Sequence, residues 1–129
     1  MYGITVDFRY NKDCIMDLAL VKFLMKAVIQ ASELLGCDRE ERQKWLNIKD
    51  HLASYPTGED TEGKIWIDVA KGPVNPVYNI PVSLAPVFPG EDIGLHSSLE
   101  ELELARRTAK LVRCEGIDDL VYLPLILAR

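Results

Sequence analysis

Cysteine is scarce in this chain, and the three present, Cys14, Cys37 and Cys114, are odd in number and far apart, which excludes a disulfide framework. Histidine is scarcer still. His51 and His96 stand in no Cys-x-x-Cys or His-x-x-x-His spacing, so no metal site built from this chain alone is expected. No apolar run approaches the roughly 20 residues of a bilayer span, and Met1 to Asn11 lacks a basic segment followed by an apolar one, the mark of a signal peptide. Neither a membrane partner nor a signal peptide in this chain is expected, and the sequence leaves the cellular location open. A Gly-x-Ser-x-Gly elbow, a phosphate-binding glycine loop and a dinucleotide fingerprint are also missing, which leaves acyl transfer, nucleotide hydrolysis and cofactor redox without a basis. No cofactor is expected. The net charge of −5 comes from 20 acidic and 15 basic residues that are interspersed. With no cationic stripe to neutralise phosphates, nucleic acid is excluded as a partner.

What is present is the balance of an ordinary globular protein: 48% hydrophobic and 27% charged residues in 129, too apolar for a disordered tail and long enough for one domain, residues 1–129. Helical spacing dominates. Ile15, Leu18, Ala19, Leu24, Val28, Ile29, Leu34 and Leu35 recur at three and four residues, predicting a first helix with Asp13 as its cap. Gly36 supplies the left-handed stop, and Asp38 with Glu41 reads as the cap and third position of a second helix, about Arg39 to Ser54. A helical hairpin follows. In the second helix Trp45, Ile48 and Leu52 share one face while Arg39, Glu40, Arg42, Lys44 and Lys49 face water, which predicts an amphipathic, peripheral element.

After Pro56, Gly58 and Gly63, the alternation of Ile65, Ile67 and Val69 with Lys64, Trp66 and Asp68 predicts a short extended segment. From Lys71 to Leu95 five prolines, Pro73, Pro76, Pro81, Pro86 and Pro89, bar a regular helix. This is a long proline-rich loop, too apolar to be left in water and long enough to be functional. Ser97 and Ser98, three residues before Glu100 and Glu101, offer two capping boxes for a third helix through Val112. Its stripe is Leu99, Leu102, Ala105, Ala109 and Val112, with Glu103 and Arg107 four apart as a surface ion pair worth about 0.3–0.5 kcal/mol. The segment from Ile117 to Arg129 opens with Asp118 and Asp119 and is then almost wholly apolar. It reads as a helix cut in mid-course, with Pro124 kinking it or in its first turn, and its leucines buried by further polypeptide.

Taken in order, Asp17-Leu18-Ala19-Leu20-Val21, the Leu35-Gly36-Cys37-Asp38 turn, Gly63-Lys64-Ile65-Trp66 and Val87-Phe88-Pro89-Gly90 resemble the C-terminal part of the catalytic domain of α-L-fucosidase-like glycoside hydrolases. The motifs are short, but together they cover most of the chain. The resemblance implies a mainly α fold of three to four helices in a hairpin arrangement, part of an α/α toroid of six helical hairpins, with the extended segment and the proline-rich loop as its irregular parts. It also implies that the segment before Pro-Gly lines a sugar-binding mouth and that a carboxylate soon after the tryptophan assists catalysis. The chain departs from the family where Tyr78-Asn79-Ile80-Pro81-Val82-Ser83 replaces histidines and where Ile65, not an acidic residue, precedes Trp66.

A glycosidase needs two carboxyl groups about 5–9.5 Å apart across the scissile bond. Asp68 and Glu91 are the nominated carboxylates. With two hairpins the chain supplies one wall of such a cleft, so it is expected to be inactive alone. Trp66 and Phe88 are candidates to stack on a sugar ring, and Tyr78, Asn79 and His96 to bond its hydroxyls. Each has a plainer reading: both rings fill core as readily, Asn79 before Ile80-Pro81 is a turn former, and lone acids are mostly solvated. Two functions remain. One is a fragment of a glycoside-hydrolase-like protein acting on carbohydrate, which self-associates or meets missing hairpins of a longer chain. The other is a freestanding helical interaction module that grips a protein through the proline-rich loop.

Overall fold

The structure, a computed structural model, describes residues 11–71, 79–112 and 116–129. Among these, helices dominate, as the periodicity predicts. The order is β1 (Lys12–Cys14), α1 (Ile15–Leu35), α2 (Arg39–Asp50), β2 (Thr57–Asp60), β3 (Gly63–Trp66), β4 (Val69–Lys71), a single 3-10 turn (Val82–Leu84), α3 (Leu99–Leu111) and α4 (Asp119–Leu127). The expected helical hairpin is α1 and α2. Its turn places Gly36 at φ 69° and Asp38 at φ 50°, so two left-handed residues reverse the chain within a few positions. Arg42 then locks the pair, donating from Nε to Ser32 Oγ and from Nη2 to the Ser32 carbonyl, both at 2.6 Å.

Two caps differ from expectation. Asp13 is not the cap of α1: it lies in β1 at φ 53°, the cap position falls to Cys14, and no side-chain cap bond forms. The reason is tertiary, because Lys12 and Cys14 pair antiparallel with Lys71 and Val69 of β4. Asp38 does precede α2, but its carbonyl, not its carboxylate, receives the Glu41 amide, at 3.0 Å. Glu41 pairs instead with Lys44 at 2.8 Å. Helix α2 also ends earlier than expected, at Asp50, with His51 as its C-cap. It buries no residue, which fits a peripheral element.

The extended segment exists as a hairpin, β2 against β3, in which Thr57 opposes Trp66 and Asp60 opposes Gly63. Trp66 is only 4% exposed, and its amide donates to Thr108 Oγ1 at 3.0 Å, which ties the hairpin to α3. The core joins Ile15, Trp66, Val82, Leu84, Val87, Ile93 and Ile126, with Leu102, Leu104, Ala105, Ala109 and Val112 packed against it. Residues 80–93 of the proline-rich loop thus lie at the centre of the core. They bury their own apolar groups in consecutive tight turns: the Leu84 amide bonds the Pro81 carbonyl at 2.9 Å, Gly90 that of Ala85 at 2.9 Å, and Asp92 that of Pro86 at 2.9 Å. A Cβ on Gly90 would stand 2.7 Å from the Ala85 carbonyl and 2.8 Å from Ala19 Cβ, so only glycine lets α1 approach this turn. Residues 72–78 of the proline-rich loop lie outside the described residues.

The third helix starts as read. Ser98 and Glu101 form the full capping box, and Glu103 faces Arg107 at 3.8 Å. Its expected stripe is correct from Leu102 onward and wrong at Leu99, which is 86% exposed. The buried position sequence reasoning missed is Thr108. Pro124 sits inside α4, past the first turn, where it removes one amide donor. Ile126 of that helix is buried, whereas Leu120, Val121, Leu125 and Leu127 stay exposed.

Candidate functional site

The strongest polar constellation lies where α1 meets the turn that carries Asp92. Lys22 and Lys26, four apart on α1 and hence on one face, both reach it. Lys26 Nζ donates to Asp92 Oδ1, Lys22 Nζ stands 3.8 Å from Oδ2, and the Tyr55 hydroxyl donates to Oδ2 at 2.9 Å. The Lys22 ammonium also sits 3.7 Å from the centre of the Tyr55 ring, a cation–π contact. Tyr55 in turn meets Trp66 edge to face at 6.1 Å. Three segments far apart in sequence, α1, the stretch at Tyr55 and the turn of Asp92, therefore meet at one carboxylate.

The electrostatics follow from burial and partners. Burial by itself would raise Asp92, but the hydrogen bonds from Lys26 and Tyr55 and the two ammonium charges outweigh it and hold the carboxyl below its ordinary range. Burial pulls Lys22 down, against the opposing charge of Asp92. Burial, then the Asp92 charge and the hydrogen bond to it, push Tyr55 well above the usual phenol range. The cluster thus holds an ionised, fully engaged carboxylate at neutral pH. Such a group is no proton donor; what it does is clamp the Asp92 turn to α1 and to the Tyr55–Trp66 pair.

The second feature is a groove of about 180 Å³ between α3, α4 and residues 87–95. Val87, Ile93, Leu102, Ala105, Ala109 and Ile126 are among its lining residues, with Leu95, Leu127, Arg106 and Arg129. It is mostly apolar, and among the described residues the charged ones lining it are the two arginines.

The nominated residues are scattered between these features. Glu91 is exposed, has φ 49° and pairs with Arg129 at 2.8 Å. The same guanidinium lies 5.2 Å from the centre of the Phe88 ring, which tilts against Tyr122 at 5.5 Å. Asp68 is half-buried beside β4, and its carbonyl accepts the Ile15 amide at 2.9 Å. Trp66 belongs to the core. Asn79 and His96 are exposed, Asn79 in contact with the backbone at Gly116. Tyr78 lies outside the described residues. The structure brings together Glu91, Phe88 and Arg129, and it places Trp66 against Tyr55; sequence reasoning missed Lys22, Lys26, Tyr55 and Asp92. Their one local signal was the four-residue spacing of the two lysines.

Among the described residues no cluster of three or more histidine, cysteine or carboxylate groups is placed to hold a metal ion. Among them, too, no helix is long and apolar enough to cross a membrane. No family model matches the chain, nor does any curated protein or solved structure.

Proposed function

We propose that the chain is a helical-hairpin segment of a glycoside-hydrolase-like protein acting on carbohydrate, part of an α/α toroid and not catalytic by itself. The observation that carries this reading is the amount of large apolar surface the helices leave in water. Leu34 and Leu35 are 88% and 77% exposed at the end of α1, and Leu20, Phe23 and Leu24 face outward on the same helix. On α4, Leu120, Val121, Leu125 and Leu127 do likewise. Surfaces of this kind seek polypeptide, as hairpins stacked in a toroid provide. A chain without catalysis of its own is supported by the state of Glu91, which Arg129 engages. Phe88, Asn79 and His96 remain the groups through which a sugar would be met.

Two measurements test the reading. The isolated chain is expected to enhance ANS fluorescence strongly or to associate with rising concentration by light scattering; a monodisperse, ANS-silent monomer removes the segment part. Titration with fucose and with galactose is expected to shift the amide resonances of Phe88, Asn79 and His96. No shift at high millimolar sugar removes the carbohydrate part.

A second reading, a freestanding interaction module, has one observation in its favour. The groove borders the loop segment 87–95, where such a module would hold its partner.

A further inference from the structure

The groove between α3 and α4 carries a charge of the wrong sign for this protein. The chain as a whole is acidic, at −5, and α3 opens with Glu100, Glu101 and Glu103. Yet among the described residues the charged ones lining the groove are Arg106 and Arg129. Arg129 is partly occupied by Glu91; Arg106 makes no ion pair among the described residues. Around these cations the lining is aliphatic, and two of its leucines remain in water, Leu95 at 90% and Leu127 at 67% exposed. A small solute of the groove's volume would leave both leucines wet. A polypeptide that seats an apolar side chain in the groove and covers the rim would not. Two of its walls are helices and the third is the turn-rich segment 87–95, with no strand among the described lining residues to which an extended segment could add, so the matching element is a helix.

We propose that this groove is the docking site of an acidic amphipathic helix, whose leucine-like residues at three- and four-residue spacing enter between α3 and α4 and whose carboxylates meet Arg106 and Arg129. This rests on the reading of the chain as a piece that packs against further polypeptide, and it names the chemistry of what is packed. The charge complement sets orientation and selects against basic helices more than it adds raw affinity. Interior positions of the groove supply the rest through burial.

The experiment uses the whole chain and three synthetic helical peptides of roughly 15 residues, long enough for two turns of contact on either side of the anchors. One has leucine at the spaced positions and glutamate around them, its twin has lysine for each glutamate, and a third has alanine for each leucine. The glutamate peptide is expected to shift the resonances of Leu102, Ala109 and Ile126 and to bind about tenfold tighter than its lysine twin or more, a ratio of the size a few charge contacts give. The alanine peptide is expected not to bind. Arg106→Glu, an exposed substitution, should reverse the preference between the first two, and Leu127→Gln should weaken both. Equal binding of the two charged peptides, or shifts that fall elsewhere, overturns the proposal. So does binding of octanoate at these resonances without binding of the glutamate peptide, which would make the groove a small-molecule site. Strong ANS enhancement alongside failed peptide binding sinks the docking site and leaves the segment reading standing.

Discussion

At Asp92 a single carboxylate takes a hydrogen bond from Lys26, another from Tyr55 and the charge of Lys22. Its consequence for stability has a definite sign in pH. The folded-state pKa is lower than the unfolded value of about 3.9 because partners outweigh burial, so at acid pH the unfolded chain binds more protons. The contribution is therefore whole above pH of about 4 and is lost as pH falls through the lower folded value. Asp92→Asn is expected to cost about 1.5–3 kcal/mol at pH 7, the range for hydrogen bonds to a charged group, and to flatten the decline of stability between pH 5 and pH 3 (both roughly bracketing the carboxylate range). Urea melts at several pH values measure both. A variant with the wild-type acid profile would show that the cluster does not bear on folding.

On the scale of elements, the joint between the β2–β3 hairpin and α3 depends on one hydroxyl. Thr108 Oγ1 accepts the Trp66 amide at 3.0 Å and donates to the Leu104 carbonyl at 2.8 Å, and Thr108 is buried. Thr108→Val keeps the shape and removes the acceptor, leaving a buried amide without its partner. The expected loss is about 1–3 kcal/mol, with Thr108→Ser recovering much of it; equal midpoints for Val and wild type in urea would refute the joint. Elements like α1 and α3 were legible in the sequence because periodicity and capping are local: Gly36 and the Ser98–Glu101 box stand where the residues put them. The cap at Asp13 was not, since a strand partner at Val69–Lys71 overrides local preference. The direction of Trp66 was not legible either. Alternation alone does not say which phase faces in, and Thr108, which decides it, lies in another element. The Lys22–Lys26–Tyr55–Asp92 cluster escaped for the same cause, being assembled by packing from parts that carry no motif.

For the whole molecule, the division between a core centred on residues 80–93 and helices with bare outer faces sets the expected solution behaviour. Leu20, Leu24 and Leu34 lie on the outward side of α1 and are exposed. Replacing all three by glutamine should leave the unfolding free energy from urea melts within about 0.5 kcal/mol per site, as for surface changes generally, while ANS enhancement falls and association shifts to higher concentration. Loss of folding on this change would mean the face is covered in the chain's own fold.

The clasp of β1 on β4 has a bearing on how the chain comes to be. Its two sides lie at the start of α1 and beyond the β2–β3 hairpin, so everything from β1 through that hairpin must leave the ribosome before the clasp closes. Synthesis proceeds from the N-terminus, and closure over so long a stretch waits on a slow search. Helices α1 and α2 are thus made before the strand that clasps them, and the clasp closes only after the β2–β3 hairpin between has been made.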